Sequence, residues 1–181
     1  AFDAAEFDFV SCSAHKFYGP KGVGGLTARG GEAFEPLLRG GGHENGLRAG
    51  TLNVPGIVGM GAAAGLASAR WEEDHSQAAL HREALLTEIA SIPDHRLLSP
   101  QASSPFIVGI AFDGVLGEAL VIELDRLGFA ISSGSACSSG STEPSTVLMA
   151  LGLPESWIRG AIRVSFGREN TPEAVGALAK N

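Results

Sequence analysis

Residues 105–132, PFIVGIAFDGVLGEALVIELDRLGFAIS, switch from one backbone period to another and back. PFIVGIAF (105–112) is a short continuous apolar run and predicts a buried strand. GEALVIELDRLG (117–128) predicts a helix with Gly128 as its stop. FAIS (129–132) predicts a second strand, which feeds directly into a loop of Ser, Gly and Ala around Cys137. The same alternation continues on either side. Upstream, SQAALHREALLTEIA is expected to set Leu80, Ala84, Leu85 and Ile89 on one helical face, with Pro93 limiting the helix. Downstream, EPSTVLMALG predicts a short helix with Pro144 near its start and Gly152 just past its end. In AIRVSFG, Ile162, Val164 and Phe166 face one way and Arg163 and Ser165 the other. TPEAVGALAKN opens a helix with Thr171 as N-cap and Pro172 at its first position. Strands alternating with helices predict an α/β domain from about residue 74 onward.

The region before it reads differently. FDFVSCS (7–13) predicts a strand ending at the polar corner SAHK, and YGPKGVGGLTARGG predicts turns around a short strand. RGGGHENGLRAGT is a Gly-rich loop carrying His43, Glu44 and Arg48. TLNVPGIVGMGAAAGLASA (51–69) lacks any charge, yet it contains Asn53, Pro55 and four glycines. It predicts a buried, closely packed helix behind a Gly/Pro turn rather than a membrane span.

Composition limits the function classes. The chain has 181 residues, 44% of them hydrophobic and 18% charged, which suits a folded soluble protein of one or two domains. The net charge of −7, with no basic stripe, argues against nucleic-acid binding. Two cysteines provide no disulfide framework, so a reducing compartment is expected and the location is expected to be cytoplasmic. The start, AFDAAEFDFV, carries no secretory signal. It also lacks a cap or turn, and the closing helix stops early, so the chain is expected to be a fragment of a longer one.

Three places can carry chemistry. Lys16 ends a strand beside His15, with Lys21 and several glycines following. Its amine is nucleophilic only when neutral, and the reference pKa is ~10.4. A partly buried, cation-rich setting would lower that value and favour a Schiff base with an aldehyde cofactor. Ser13 and His15 are donors of the kind that hold a phosphate, and a Gly-rich corner admits backbone N–H groups to one. A plain surface Lys-Gly turn fits the spacing as well. In GGGHENGLRAGT, Thr51 can donate to an anion, although an ordinary long loop explains the stretch equally. Cys137 stands in SSGSACSSGS (132–141), where nothing can pack it. It is either an incidental exposed thiol or a nucleophile whose tether must swing. No Cys or His partner lies at ligand spacing, so no metal site is expected. Arg163 can grip a carboxylate bidentately or simply face solvent.

Taken together, SAHKFYGPKGVGGL, GGGHENGLRAGTLNVPGIVGMGAA, SSGSACSSGSTEPSTVLMALG and IRVSFGREN resemble, in order and approximate spacing, the NifS/IscS-type cysteine desulfurases. These are class V aminotransferase-like enzymes of the pyridoxal-phosphate-dependent fold type I (aspartate-aminotransferase-like). The resemblance implies a fold class of α/β, with residues 1–73 the end of the large cofactor domain and 74–181 the small C-terminal domain. It implies pyridoxal 5'-phosphate held as a Schiff base by Lys16, with Ser13 and His15 as phosphate ligands. Thr51 would reach the phosphate of the neighbouring subunit's cofactor, which makes a homodimer the expected state. Arg163 would bind the carboxylate of L-cysteine. Cys137 would take its sulfur as a persulfide, leaving alanine, and pass it to a sulfur-acceptor or iron–sulfur scaffold protein. No nucleic-acid or membrane partner is implied.

The family's N-terminal half has no counterpart here, so these residues alone are expected neither to hold the cofactor well nor to turn over. Two rivals remain at this point: a selenocysteine lyase, and a non-catalytic module that accepts sulfur or binds a scaffold. The second leaves Lys16 without a role.

Overall fold

The computed structural model describes residues 6–29, 35–133 and 145–180. It divides into two compact units, Ala1–Trp71 and Glu72–Asn181.

In the first unit, β1 (Phe9–Ser13) pairs antiparallel with β2 (Gly24–Ala28), Phe9 opposite Ala28 and Ser13 opposite Gly24. A long helix, α1 (Val54–Ile89), begins here and supplies residues to both units. Asn53 caps it: its side-chain oxygen accepts from the Gly56 N–H at 3.2 Å, and its carbonyl accepts from the Ile57 N–H at 2.9 Å. The helix runs on through 70–75, where two separate helices were expected. No Gly or Pro falls between Gly65 and Pro93, so nothing breaks it.

The expectation that 51–69 is buried does not hold. Within 54–71 only Gly56 and Ala63 are buried, while Val54, Val58 and Leu66 are 57%, 66% and 59% exposed. A two-stranded hairpin is too small to cover such a helix. It meets α1 where Pro20 lies against Gly59 and Met60 against Gly25.

The second unit is a packed sheet. Its strands are β3 (His95–Leu97), β4 (Ile107–Phe112), β5 (Ser132–Ser133) and β6 (Ala161–Ser165), in the order β3-β4-β6-β5 with every pair antiparallel. Helices α2 (Gly117–Arg126), α3 (Thr146–Ala150), α4 (Glu155–Arg159) and α5 (Pro172–Lys180) alternate with them. The chain is thus α/β in sequence order while its sheet pairing is antiparallel. Of the expected strand FAIS only Ser132 lies in β5, which runs one residue further to Ser133 and pairs with β6.

The core forms on one sheet face. Val108 stands opposite Val164 and Ile110 opposite Ile162, and all four are buried. Ala78, Leu85 and Ile89 of α1, Phe166, and Val175 of α5 complete the cluster. Ala78, Leu85 and Ile89 recur at helical spacing, so one stripe of α1 is covered. Leu80, expected on this stripe, is 59% exposed. Five residues from Leu85, it lies about 140° around the helix. Ala84 is partly buried beside the cluster.

Two predicted helix ends form as expected. After α2, Gly128 has φ 89°, its N–H donates to Asp125, and the Phe129 N–H donates to Leu124, a complete Schellman closure. Thr171 Oγ1 accepts from the Ala174 N–H at 3.2 Å and so caps α5.

Candidate active site

The first cluster of candidate residues sits where β1 ends. Ala14 is fully buried and acts as the pin. Its N–H donates to the Val23 carbonyl at 3.1 Å, and its own carbonyl accepts from Tyr18 and from Gly19, the latter at 2.8 Å. Tyr18 takes the left-handed conformation, φ 67°, to close the turn. A Cβ on Gly19 would fall 2.8 Å from the Ala14 Cβ, and one on Gly24 2.5 Å from the Cys12 carbonyl. Both glycines are therefore needed for close backbone approach.

On this tight corner a 3₁₀ turn, Ala14–Phe17, carries His15 and Lys16 outward. Ser13, His15 and Lys16 are all exposed. Among the described residues their side chains form no hydrogen bond or ion pair. Among the described residues no element covers the amine, so they do not provide the partial burial foreseen for Lys16.

The Gly-rich loop is wound tightly. Glu44 and Asn45 take positive φ values of 51° and 56° in a turn spanning His43–Gly46, and conformations of this kind cost about 1–3 kcal/mol each. Arg48 spends one N–H on the Gly50 carbonyl at 3.2 Å. His43, Glu44 and Thr51 are exposed. Thr51 stands two residues ahead of the Asn53 cap.

In the second unit Arg163 lies on β6, on the face opposite the core. Its direct neighbours across the ladder are Gly109 on β4 and Ser132 on β5. Arg163 is half-buried, and its NH2 donates to Ser132 Oγ at 3.3 Å. No carboxylate pairs with it among the described residues. Cys137 lies outside the described residues.

Ser13, His15, Lys16 and Thr51 thus belong to the first unit and Arg163 to the second. The structure brings the first three together at one corner.

Sequence reasoning missed the groups that hold the strand of Arg163 in place. His81 is 3% exposed, and its Nε2 lies 3.1 Å from the Asn170 carbonyl. A carbonyl only accepts, so the ring nitrogen donates. Arg168 pairs with Asp74 at 2.7 Å. Together they fasten the turn after β6 to α1. Arg82, 9% exposed, donates to Ser103 Oγ, Ser104 O and Pro100 O, fixing the loop before β4. The usable signal was the 3.6-residue period carried through polar positions: residues 74, 78, 81, 82 and 85 share one stripe. Ser132, the last residue of FAIS, carries no signal in the sequence that would set it beside Arg163.

Comparison with known proteins places the chain. The aminotransferase class-V family model matches residues 2–178. The chain belongs to the aminotransferase class-V family. It is 47% identical over 175 residues to a cysteine desulfurase of Cereibacter sphaeroides, covering 96% of this chain and 44% of that protein. It is 44% identical over 172 residues to the cysteine desulfurase IscS of Clostridium botulinum (strain Hall), covering 93% and 43%.

Among solved structures, a NifS-like protein aligns with a TM-score of 0.85 at 35% identity, over 97% of this chain and 45% of its own. The NifS-like protein from Rickettsia africae aligns with a TM-score of 0.85 at 27% identity, over 96% and 46%. The fold is the α/β, fold type I architecture that the resemblance implied. The class-V chain spans less than half the length of the curated relatives it matches.

Proposed function

We propose that this class-V chain is the C-terminal part of a pyridoxal-phosphate-dependent cysteine desulfurase. The observation that carries the reading is the corner at Ser13, His15 and Lys16. Three polar side chains, one of them a primary amine, are exposed and without a hydrogen-bond partner among the described residues, on a turn pinned by a fully buried Ala14. Such a donor set fits the group: the amine of Lys16 would hold an aldehyde cofactor, and the Ser13 hydroxyl and the His15 ring would donate to its phosphate. Pyridoxal phosphate, when bound, supplies an electron sink for bonds at the substrate's amino-acid carbon.

This chain's own residues do the rest. Arg163, half-buried with no acid beside it among the described residues, receives the carboxylate of L-cysteine. Lys16 holds the cofactor and moves protons at the substrate carbon. The thiolate of Cys137 attacks the substrate sulfur, so a sulfur–sulfur bond forms as the carbon–sulfur bond breaks. That bond's electron pair stays with the carbon, which is protonated to give L-alanine. Sulfur then sits on Cys137 as a persulfide for a sulfur-acceptor or iron–sulfur scaffold protein. Thr51 serves the neighbouring subunit's cofactor phosphate in a homodimer, and the enzyme works in the cytoplasm. The division of the fold at residue 71 supports reading residues 1–73 as the end of the cofactor domain and 74–181 as the small domain.

The test uses the full-length protein. Borohydride reduction followed by peptide mapping is expected to find the cofactor on Lys16, and Lys16→Ala is expected to lower kcat about 10²- to 10⁴-fold. Cys137→Ala is expected to abolish alanine formation from cysteine while sparing that from selenocysteine. A cofactor attached to another lysine overturns the reading.

A further inference from the structure

The register of the sheet sets Ser132 directly across from Arg163, 31 residues apart in the chain. Gly109 is the neighbour on the other side. Directly paired residues share a sheet face, so Gly109, Arg163 and Ser132 form one row on the side away from the core. Gly109 contributes no side chain. Its own N–H is tied to Ser99 Oγ at 2.8 Å, and Leu98 Cβ lies 3.3 Å from where its Cβ would be. Ser99 Oγ lies 3.6 Å from the same place, but it already accepts from the Gly109 N–H, and no hydrogen bond joins it to Arg163 among the described residues.

Among the described residues, the side chain that hydrogen-bonds the guanidinium is Ser132. Its Oγ accepts from NH2 at 3.3 Å and has no other partner among the described residues. A guanidinium carries five N–H donors in a planar fork, so a single bond at one corner orients the fork and leaves the remaining edge open. A hydroxyl also keeps its own hydrogen after accepting. No charge is neutralised, which is what an anion receptor requires. An Asp or Glu at this position would satisfy the guanidinium and compete with a ligand carboxylate.

We propose that Ser132 is the positioning residue of the carboxylate clamp: it aims the Arg163 fork, and it thereby sets the preference for free amino acids over their esters. The proposal rests on the reading of Arg163 as the carboxylate ligand and extends it to a residue that the family resemblance did not assign.

The experiment compares Ser132→Ala, Ser132→Thr and Arg163→Lys in the full-length holoenzyme, with L-cysteine and L-cysteine methyl ester as substrates. Loss of one hydrogen bond to a charged group is expected to raise KM for cysteine about 5- to 10-fold in Ser132→Ala. The fall in kcat is expected to be smaller, KM for the ester is expected to stay near its original value, and Ser132→Thr is expected to restore the cysteine KM. A cysteine KM unmoved by Ser132→Ala, an equal rise for acid and ester, or no rescue by Thr overturns the proposal. Arg163→Lys reports on the parent reading separately. If it raises KM for cysteine and Ser132→Ala does not, only the role of Ser132 fails; if neither moves it, the clamp itself is refuted.

Discussion

The two halves of helix α1 are one continuous backbone with opposite fates. Over 54–71 the side chains are small and apolar, without charge up to Ala69, yet Val58 is 66% and Leu66 59% exposed. Over 72–89 the sequence is richly charged, yet Leu85 is 2% and Ile89 4% exposed, and even His81 is buried. Hydrophobicity did not decide which half is covered. The second half has a four-stranded sheet whose β4 and β6 present a continuous apolar face at matching period; the first has a two-stranded hairpin. Burial belongs to a pair of surfaces, and each half shows only its own member of the pair.

The largest expected difference between the halves is in stability. Leu85→Ala empties a fully packed site and should cost about 2–5 kcal/mol in urea unfolding. Val58→Ala, measured in the same 181 residues, should stay within about 0.5 kcal/mol. Comparable costs at the two positions would break the comparison. If Val58→Ala becomes costly only in the full-length protein, the comparison sharpens, since the exposed half would then have its cover there.

Glycines give a second, smaller contrast. Gly160, just before β6, has the Phe112 carbonyl pressed against the place a Cβ would take. Gly160→Ala should therefore destabilise by about 1–3 kcal/mol through forced backbone shifts. Gly65, in the exposed half of α1, has nothing within 4 Å. There Gly65→Ala should stabilise by about 0.4–1 kcal/mol, because the unfolded chain loses freedom while the helix gains propensity. Thermal unfolding of the two variants in parallel should show shifts of opposite sign.

The smallest effect concerns α5. Hydrogen bonding to its own backbone N–H, and then to the Thr171 side chain, holds the exposed Glu173 carboxyl below its ordinary value. A group whose folded pKa is depressed stabilises the fold above its unfolded pKa, and that contribution fades as pH falls through the folded value. Fraying of α5, followed by hydrogen exchange, should increase below the ordinary carboxylate range. Glu173→Gln should remove that pH dependence while leaving Thr171 as cap.

Legibility followed locality. Gly128 and Thr171 were readable because a helix end is decided by a few adjacent backbone groups. β6 was readable because alternation at Ile162, Val164 and Phe166 lies within seven residues. Leu80 was misassigned because a helical stripe depends on which side meets the sheet, and a short apolar list leaves that side undefined. FAIS was overextended because strand length is set by the partner: β5 pairs only at Ser132 and Ser133. Strand β3 and helix α4 gave too short a signal to be read. At the candidate site, the residue types at Ser13, His15, Lys16 and Arg163 were visible in the sequence. The exposed state of Lys16 in this chain was not, since exposure depends on elements distant in the chain.

The sequence by itself determined the caps, the turn glycines, the alternation of β6 and the order of the chemically capable residues. Each of these is fixed by sterics or hydrogen bonding within about one turn of chain. Tertiary structure alone decided which stripe of α1 is buried, that His81 and Asp74 fasten the turn behind β6, and that Ser132 stands beside Arg163. Those facts follow from strand register and helix docking, where the free energy of covering one apolar face selects the partners that every other side chain then meets.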